Sequence, residues 1–405
     1  MESANHLLII GAVWPEPNSS AAGSRMLQLI DLFLELNFRI TFASPTLKTE
    51  HAFNLSEKNI PCIEIKVNSS EFDVWIKKEM PSHVMFDRFM MEEQFGWRVA
   101  EKCPQAIRIL DTEDLHCLRK TRQACFKASK EFTLTQLNSS ELTKRELASI
   151  VRSDLSIMIS DVEMEILKTH FQIPEYKLMY IPFLVEVNNR TLKTFHQRKN
   201  FMTVGSFRHE PNVDSIHYLK NEIWPAIRKK LPHAELHIYG SYPKQSITQL
   251  HNPSQGFIIK GWVNDVNEVV ESAKVMLAPL RFGAGQKGKF IDALINGTPS
   301  VTTSIGAEGM VNKENWSGCI TDDPDEIIKE AISLYEEEER WNSKHAQANK
   351  LLESHFNKSK FTQEFKSRIR NISREVLPFY MESLIYHSFR NSRFMSKWIE
   401  EKNTN

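Results

Sequence analysis

The sequence predicts an α/β protein made of two similar domains that face each other across a cleft, followed by a C-terminal helical segment. The chain has 405 residues, which is more than one typical hydrophobic core organises. Short apolar runs alternate with amphipathic segments, a pattern typical of parallel sheets covered by helices on both faces. A polar stretch at residues 186–200 interrupts the alternation, which then starts again. We therefore place an interdomain linker there.

The first round of alternation predicts an N-terminal domain at residues 1–186. Its candidate strands lie at residues 6–11, 39–44, 62–67, 83–86, 107–111, 155–160 and 177–181. Its candidate helices lie at residues 21–37, 90–102, 143–151 and 162–171. The first strand is apolar at every position from Leu7 to Ile10, which is expected for a strand buried on both faces.

The second round predicts a C-terminal domain at residues 187–375. Its candidate strands lie at residues 201–206, 234–239, 257–260, 275–280 and 300–303, and its candidate helices at residues 213–229, 266–273 and 287–296. The sequence predicts helices from residue 325 onward. Residues 376–405 are expected to form a C-terminal helix that packs against the rest of the protein. In sheets of this kind, ligands bind beyond the carboxyl ends of the strands.

The composition excludes several classes of protein. Lys plus Arg and Asp plus Glu are both 51, so no nucleic-acid partner is expected. The five cysteines form no CxxC pair, and their odd number and low density favour a reducing compartment. No basic leader or membrane-spanning apolar run is present in the sequence, so we expect a cytoplasmic protein. The aromatic, basic tail leaves open contact with the inner face of a membrane.

A glycine-rich turn after the candidate strand at residues 275–280 carries the strongest chemical signal. Small residues allow close approach to a ligand, and the amides at the start of the following helix favour an anion. The turn and its flanking cations predict a diphosphate cradle made of Arg281, Gly283, Ala284, Gly285, Gln286, Lys287 and Lys289. The alternative is a tight turn with solvated lysines, because neither the P-loop nor the GxGxxG spacing is present.

Two carboxylate groups near this turn have competing interpretations. Asp292 lies on the predicted helix, where it could accept hydrogen bonds from ribose hydroxyls, or pair with Lys289 at i,i+3 spacing. The acidic run that contains Asp322 and Asp323 precedes Pro324 and a helix, so we interpret it as helix capping. No metal site is predicted.

Several segments occur together in a fixed order along residues 204–309. They are VGSFR at 204–208, PNVD at 211–214, HIYG at 237–240, KGWV at 260–263, LRFGAGQKGK at 280–289 and GAEG at 306–309. Together they resemble the nucleotide-binding domain of family 4-like, group 1 glycosyltransferases. The resemblance implies the GT-B fold, in which two Rossmann-like domains face each other, the first binding the acceptor and the second the nucleotide sugar.

The resemblance also implies roles for residues outside the glycine-rich turn. Gly11 and Gly23, with the loop between them, look like the donor-facing glycine loop of the fold. His116 lies in the segment DTEDLH, which resembles a strand end that often carries a histidine near the transferred sugar. Without the resemblance, the simpler interpretation is that His116 is a structural histidine at a strand end, with its hydrogen bonds made inside the protein. Arg208 and Glu308 are expected to contribute to donor binding, although Glu308 also reads as a solvated loop carboxylate.

Two departures from the family pattern affect the donor site. Many relatives carry two glutamates eight positions apart; here Asp292 matches the second, and Ala284 stands at the first. Ser206 and Asn212 stand near the positions where relatives often carry an arginine and a lysine. Either Arg208 supplies the positive charge that these two positions lack, or Arg281 and Lys287 hold the diphosphate without it.

The resemblance implies a retaining, metal-independent hexosyl- or deoxyhexosyltransferase of polysaccharide, glycolipid or glycoprotein biosynthesis. Its donor is a nucleotide-diphosphate sugar, its acceptor is a glycan, a lipid-linked molecule or a protein, and no further cofactor is expected. Lys287, Arg281 and His116 are the candidate catalytic residues. Acceptor recognition is expected from loops at residues 72–81 and 121–139. Two alternatives remain open: a catalytically silent module that binds a nucleotide sugar, and a sugar-nucleotide epimerase or hydrolase of the same fold.

Overall fold

The computed structural model describes residues 5–187, 191–311, 315–372, 392 and 394–403. The first parallel sheet contains β1 (His6–Ile10), β2 (Arg39–Ser44), β3 (Cys62–Glu64), β4 (His83–Asp87), β5 (Ile107–Asp111), β6 (Leu155–Met158) and β7 (Leu178–Tyr180). Its strand order is β3-β2-β1-β4-β5-β6-β7. The accompanying helices are α1 (Ala21–Leu34), α2 (Glu71–Glu79), α3 (Phe89–Met91), α4 (Trp97–Lys102), α5 (His116–Lys127), α6 (Glu141–Arg152) and α7 (Asp161–Thr169).

The second parallel sheet contains β8 (Lys199–Val204), β9 (Leu236–Tyr239), β10 (Phe257–Gly261), β11 (Ala273–Ala278), β12 (Ser300–Thr302) and β13 (Gly318–Ile320). Its strand order is β10-β9-β8-β11-β12-β13. The helices are α8 (Glu210–Tyr218), α9 (Trp224–Lys230), α10 (Gln245–Thr248), α11 (Val266–Ser272), α12 (Gly288–Ile295), α13 (Ser304–Ala307), α14 (Pro324–Glu336), α15 (Glu338–Leu351) and α16 (Lys358–Arg370). The predicted α/β fold of two Rossmann-like units is confirmed.

Each sheet has apolar clusters on both of its faces, which explains why its strands form. Leu7, Leu8, Ile9 and Ile10 of β1 are all fully buried, with alternate residues packing into opposite clusters. A central strand between two helical layers loses all contact with water, so only apolar side chains are favourable there. The sheets therefore present their functional groups where the strands end.

Helix α16 lies in the segment predicted to belong to the C-terminal domain, and it packs against the N-terminal domain. Its apolar residues Phe361, Phe365 and Ile369 are buried in the cluster around α1. Their four-residue spacing forms one stripe along the helix. The two chain crossings lie side by side, because the Val185 N–H donates to the Phe356 carbonyl at 2.7 Å.

The described part of the terminal helix, residues 394–403, contacts the N-terminal domain. The Ser396 hydroxyl bonds to Asn68 at 2.6 Å, and Arg98 Nη2 pairs with Glu400 at 3.0 Å. Residues 373–391 and 393, which carry much of the predicted aromatic and basic tail, lie outside the described residues. Among the residues that are described, no helix is both long enough and apolar enough to span a bilayer.

The two segments expected to be acceptor loops contain helices. Residues 71–79 form α2, whose Phe72 and Ile76 side chains are buried in the core. Residues 121–127 are the second half of α5, and a short 3₁₀ helix follows at Leu134–Leu137. The expectation of irregular loops was wrong here: Phe72 and Ile76 anchor the first segment in the core, and Cys125 and Leu137 are the buried apolar residues of the second.

Candidate active site

Loops that follow the strands of the two sheets meet at the domain boundary. The loop after β11 contains the glycine-rich turn, and α12 follows with Lys287 as its N-cap. Gly285 has a φ of 64°, and a Cβ atom placed on it would lie 2.8 Å from Cβ of Asp114. Glycine is therefore required there both for the left-handed backbone and for the close approach of the first domain.

The N-termini of two helices converge at this boundary. α1 begins after Ser20, whose Oγ accepts a hydrogen bond from the Gly23 N–H at 3.1 Å. A Cβ atom placed on Gly288, the first residue of α12, would lie 2.5 Å from Cβ of Ala21. Each helix N-terminus carries a partial positive charge, so the convergence is unfavourable unless an anion lies nearby.

The two glycines predicted to face the donor shape the loop before α1. A Cβ atom on Gly11 would lie 2.4 Å from the Phe42 ring, and one on Gly23 would lie 2.4 Å from the Glu16 backbone. The Gly11 N–H also donates to the Ala43 carbonyl at 2.8 Å. Both glycines permit close packing, and this packing brings the start of α1 to the boundary.

Lys287 lies at the start of α12 with only 8% of its surface exposed. Its Nζ donates to the Glu308 carbonyl at 3.2 Å. Burial lowers its pKa to about 8, against the opposing charges of Glu308 and Glu163. The structure therefore places a weakly solvated cation beside the two helix N-termini, where the sequence predicted one.

Lys289 and Asp292 lie on the same helix. Lys289 Nζ donates to Asn212 Oδ1 at 2.8 Å. Burial lowers the pKa of Lys289 to about 7 and raises the pKa of Asp292 to about 7, while each charge partly stabilises the other. The charges of Lys289 and Asp292, the i,i+3 pair predicted as the alternative, thus stabilise each other, and Lys289 also reaches the first turn of α8.

Arg281 and Arg208, both predicted near the donor, have protein partners. Arg281 forms a two-bond pair with Asp214 at 2.8 and 2.9 Å, and its guanidinium lies over the ring of Phe126. Arg208 stacks on Tyr242 at 3.4 Å from the ring centroid. The structure does not bring either guanidinium to the amides of the glycine-rich turn.

His116 is the first residue of α5, at the boundary. Its backbone N–H donates to Glu146 at 3.0 Å, and its Nε2 lies 3.3 Å from Oδ1 of Asp114. Burial lowers its pKa to about 4, so the imidazole is neutral at physiological pH. A neutral imidazole can accept or donate a hydrogen bond to a hydroxyl.

Sequence reasoning missed His209, which precedes α8 in the second domain. Burial lowers the pKa of His209 to about 4, and the charges of Arg119, Asp114 and His116 also act on it, which places His209 among the groups around His116. Its position after β8 and directly before a helix was the available signal, since ligands bind at strand ends in such folds. The two histidines thus approach Asp114 from opposite domains.

Direct bonds between the domains also involve predicted donor-site residues. Arg122 of α5 binds the Glu308 carboxylate through two bonds of 2.6 and 2.8 Å, and the Gly283 carbonyl at 3.0 Å. Gln286 accepts the Phe183 N–H at 3.0 Å. Glu308 therefore pairs with the first domain, which no local sequence pattern indicated.

An acidic group lies at the ends of β4 and β5. Carboxylate oxygens of Asp87, Asp111 and Glu113 all lie within 4.8 Å of one another. Arg25 lies 3.1 Å from Asp111, and Arg88 lies 3.5 Å from Asp87. Burial and the charge of Asp111 raise the pKa of Glu113 to about 8. The guanidinium groups of Arg25 and Arg88 thus lie beside two of these three carboxyl groups.

The fold and the residues at the domain boundary define a two-domain protein of the GT-B class. Residues 198–337 match the family model described as Glycosyl transferases group 1. Over these residues the chain is similar to group 1 glycosyltransferases, and the resemblance identified in the sequence is confirmed. A search of curated proteins finds no match.

Several solved structures share the fold at low sequence identity. Sucrose-phosphate synthase from Thermosynechococcus elongatus is 13% identical with a TM-score of 0.65, covering 90% of this chain and 98% of that one. A glycosyltransferase from Rickettsia africae is 12% identical with a TM-score of 0.65, covering 92% and 100%. HepE from Anabaena, in complex with UDP and glucose, is 10% identical with a TM-score of 0.65, covering 90% and 99%.

The contact between α1 and α12 makes a direct prediction for Gly288→Ala. The new Cβ would lie 2.5 Å from Cβ of Ala21, an atom fixed to a helix of the other domain. We expect the domains to separate and the protein to lose about 1–3 kcal/mol of closure energy. Small-angle X-ray scattering should show a larger radius of gyration. The double variant Ala21→Gly, Gly288→Ala removes the clash and should restore the compact form; an unchanged radius in Gly288→Ala would contradict the contact.

Proposed function

We propose that this protein transfers a hexose or deoxyhexose from a nucleotide-diphosphate donor to a hydroxyl acceptor, with retention and without a metal ion. The observation that supports this most is the convergence of the α1 and α12 N-termini beside Lys287. Two positive helix ends and a poorly solvated ammonium group together favour a group with several negative charges, such as a diphosphate.

The positive helix N-termini and the Lys287 ammonium group would stabilise the leaving group of the reaction. The bond to the sugar breaks as negative charge develops on the nucleotide diphosphate, and fixed positive groups stabilise that charge without reorganising. Lys289 reaches Asn212 from α12, so it brings a positive charge to the place where family relatives often carry a lysine. Lys289 thus takes, beside Lys287, the role that we expected of Arg281.

The proton of the acceptor can leave without a protein base. In a retaining reaction on one face of the sugar, the departing phosphate oxygen accepts the proton of the attacking hydroxyl. The neutral imidazole of His116 lies near the turn and would orient a hydroxyl of donor or acceptor. Its role is therefore positioning, with the proton moving from acceptor oxygen to phosphate oxygen.

The substrates are proposed by class. HepE is described in complex with UDP and glucose, and a mutant of S. aureus TarM in complex with UDP, alpha-GlcNAc-glycerol and Fondaparinux. UDP-hexoses are therefore the first donors to test, with a glycan, lipid-linked or protein acceptor. We place the reaction in the cytoplasm, with the acceptor in solution or at the inner face of a membrane.

A silent nucleotide-sugar-binding module is the second candidate. Ala284 favours it, because many relatives carry a glutamate at that position. An epimerase or hydrolase of the same fold would consume the nucleotide sugar without an acceptor. Turnover of the sugar distinguishes an enzyme from the silent module, and dependence on an acceptor distinguishes a transferase from the other two reactions.

A thermal-shift panel of nucleoside diphosphates and their sugars, run in excess chelator, tests the proposal. A ligand at a hundredfold excess over its Kd adds about 2.7 kcal/mol to the free energy of unfolding, and the thermal midpoint rises accordingly. We expect at least one diphosphate and its sugar to stabilise the protein, and sugar release to require an acceptor. Stabilisation by no diphosphate, or activity that disappears with chelator and returns with manganese, would contradict the proposal.

A further inference from the structure

Glu163 of α7 lies at the domain boundary in a position that its local sequence does not explain. Ser160 and Glu163 have the spacing of a capping box, in which the glutamate turns back to the start of its own helix. The carboxylate instead accepts the Gly285 N–H at 2.6 Å and the Leu115 N–H at 3.2 Å. It is fully buried. One carboxylate of the first domain therefore joins the glycine-rich turn to the loop before His116.

The residue beside this contact is Ala284, which stands where many relatives carry a glutamate. Ala284 is 8% exposed and packs in the apolar cluster of the first domain. A glutamate there would place a carboxylate among apolar side chains, which is costly without partners. The Glu163 carboxylate reaches the same turn from the first domain, one residue further along the chain.

The chemistry of this contact suits a sugar hydroxyl. A hydroxyl both donates and accepts, so it can donate to the Glu163 carboxylate and accept the Gly285 N–H, replacing their direct bond with two bonds. Burial raises the pKa of Glu163 to about 8, and the charge of Lys287 partly opposes that shift. The ammonium group that would bind the diphosphate end of a donor therefore lies near this carboxyl group.

We propose that Glu163 binds a hydroxyl of the transferred sugar, and that the first domain thereby supplies the carboxylate that position 284 lacks. The inference rests on the proposed function, since it names a residue of the same donor site. Two other roles of Glu163 are distinguished from this proposal. In a purely structural role, Glu163 only holds the domains together. In a competing role, its carboxyl group excludes a diphosphate from the Gly285 amide.

Calorimetric titration of Glu163→Gln with two ligands separates these roles. The probes are UDP and UDP-glucose, or the diphosphate and nucleotide sugar that stabilise the wild type most in the thermal-shift panel. We expect the affinity for the nucleotide sugar to fall about tenfold or more, while the affinity for the diphosphate stays within about twofold. Glu163→Asp, which keeps the carboxyl group, should lose less. Glu165→Gln, an exposed change on the same helix, is the matched control and should change neither affinity.

Other outcomes overturn the inference. An equal loss of both ligands would mean that Glu163 acts only through the domain arrangement, and tighter diphosphate binding would mean that it competes with the donor. If Glu163→Gln does not fold by circular dichroism, Glu163→Asp carries the test, and unchanged nucleotide-sugar affinity in that folded variant with its shorter reach overturns the assignment. Failure of the wild type to bind any diphosphate would instead contradict the proposed function itself.

Discussion

Arg25→Ala is expected to destabilise the protein by about 3–5 kcal/mol, the usual cost of removing one partner of a buried ion pair. Arg25 and Asp111 are 1% and 0% exposed, and Arg25 Nη1 also donates to the Ile181 carbonyl at 2.7 Å. The variant would leave Asp111 beside Asp87 without its main cation. Urea denaturation followed by tryptophan fluorescence measures the loss.

The pH dependence of this loss has a definite sign. Burial raises the pKa of Asp111, and removal of Arg25 raises it further. Protonation removes the buried charge, so the deficit of the variant should be smaller at pH 5 than at pH 8. Lys58→Ala is the control, because its 2.6 Å pair with Asp31 is partly exposed and contributes about 1 kcal/mol or less. Equal losses in the two variants would contradict the account of Arg25.

Elements with a complete local pattern were predictable from the sequence, and short elements were not. β2 and β5 have the predicted bounds, because each strand is mostly apolar and ends at a polar residue, Ser44 or Asp111. β13 was missed, since it has three residues and begins at Gly318, whose φ of 138° favours glycine. α5 was missed because few of its residues are apolar and the segment before it resembled a strand-end motif.

The same contrast applies to the candidate site. The glycine-rich turn and Lys287 belong to one strand–turn–helix unit. Because their residues are consecutive in the chain, the sequence alone predicted that they lie close together. Arg281 belongs to that unit too, but Asp214 binds it, and no local pattern links residues so far apart in the chain. Arg122 and Glu163 contact the turn only because the domains close on each other. Partners across a domain boundary are set by tertiary packing, which periodicity and motif spacing do not record.

Lys287→Ala is expected to weaken nucleoside diphosphate binding about 10- to 150-fold, which corresponds to about 1.5–3 kcal/mol for a hydrogen bond to a charged group. The side chain is nearly buried at the start of α12, so little solvent competes with the diphosphate for its ammonium group. Calorimetric titration with UDP, or with the best diphosphate of the panel, measures the loss. Lys220→Ala removes a lysine bonded to Gln255 in the same domain, and should leave the affinity unchanged.

The ionisation of Lys287 gives this prediction a pH signature. Its pKa is lowered to about 8 by burial, so the ammonium form that binds an anion is lost as the pH rises above 8. Diphosphate affinity of the wild type should therefore fall between pH 7 and pH 9. Lys287→Arg stays charged over this range, and its affinity should fall less. Lys289 contributes equally to both proteins, so the difference between the two profiles reports Lys287 alone. Parallel profiles would show that the Lys287 ammonium group does not bind the diphosphate, and the anion site would then have to lie away from the start of α12.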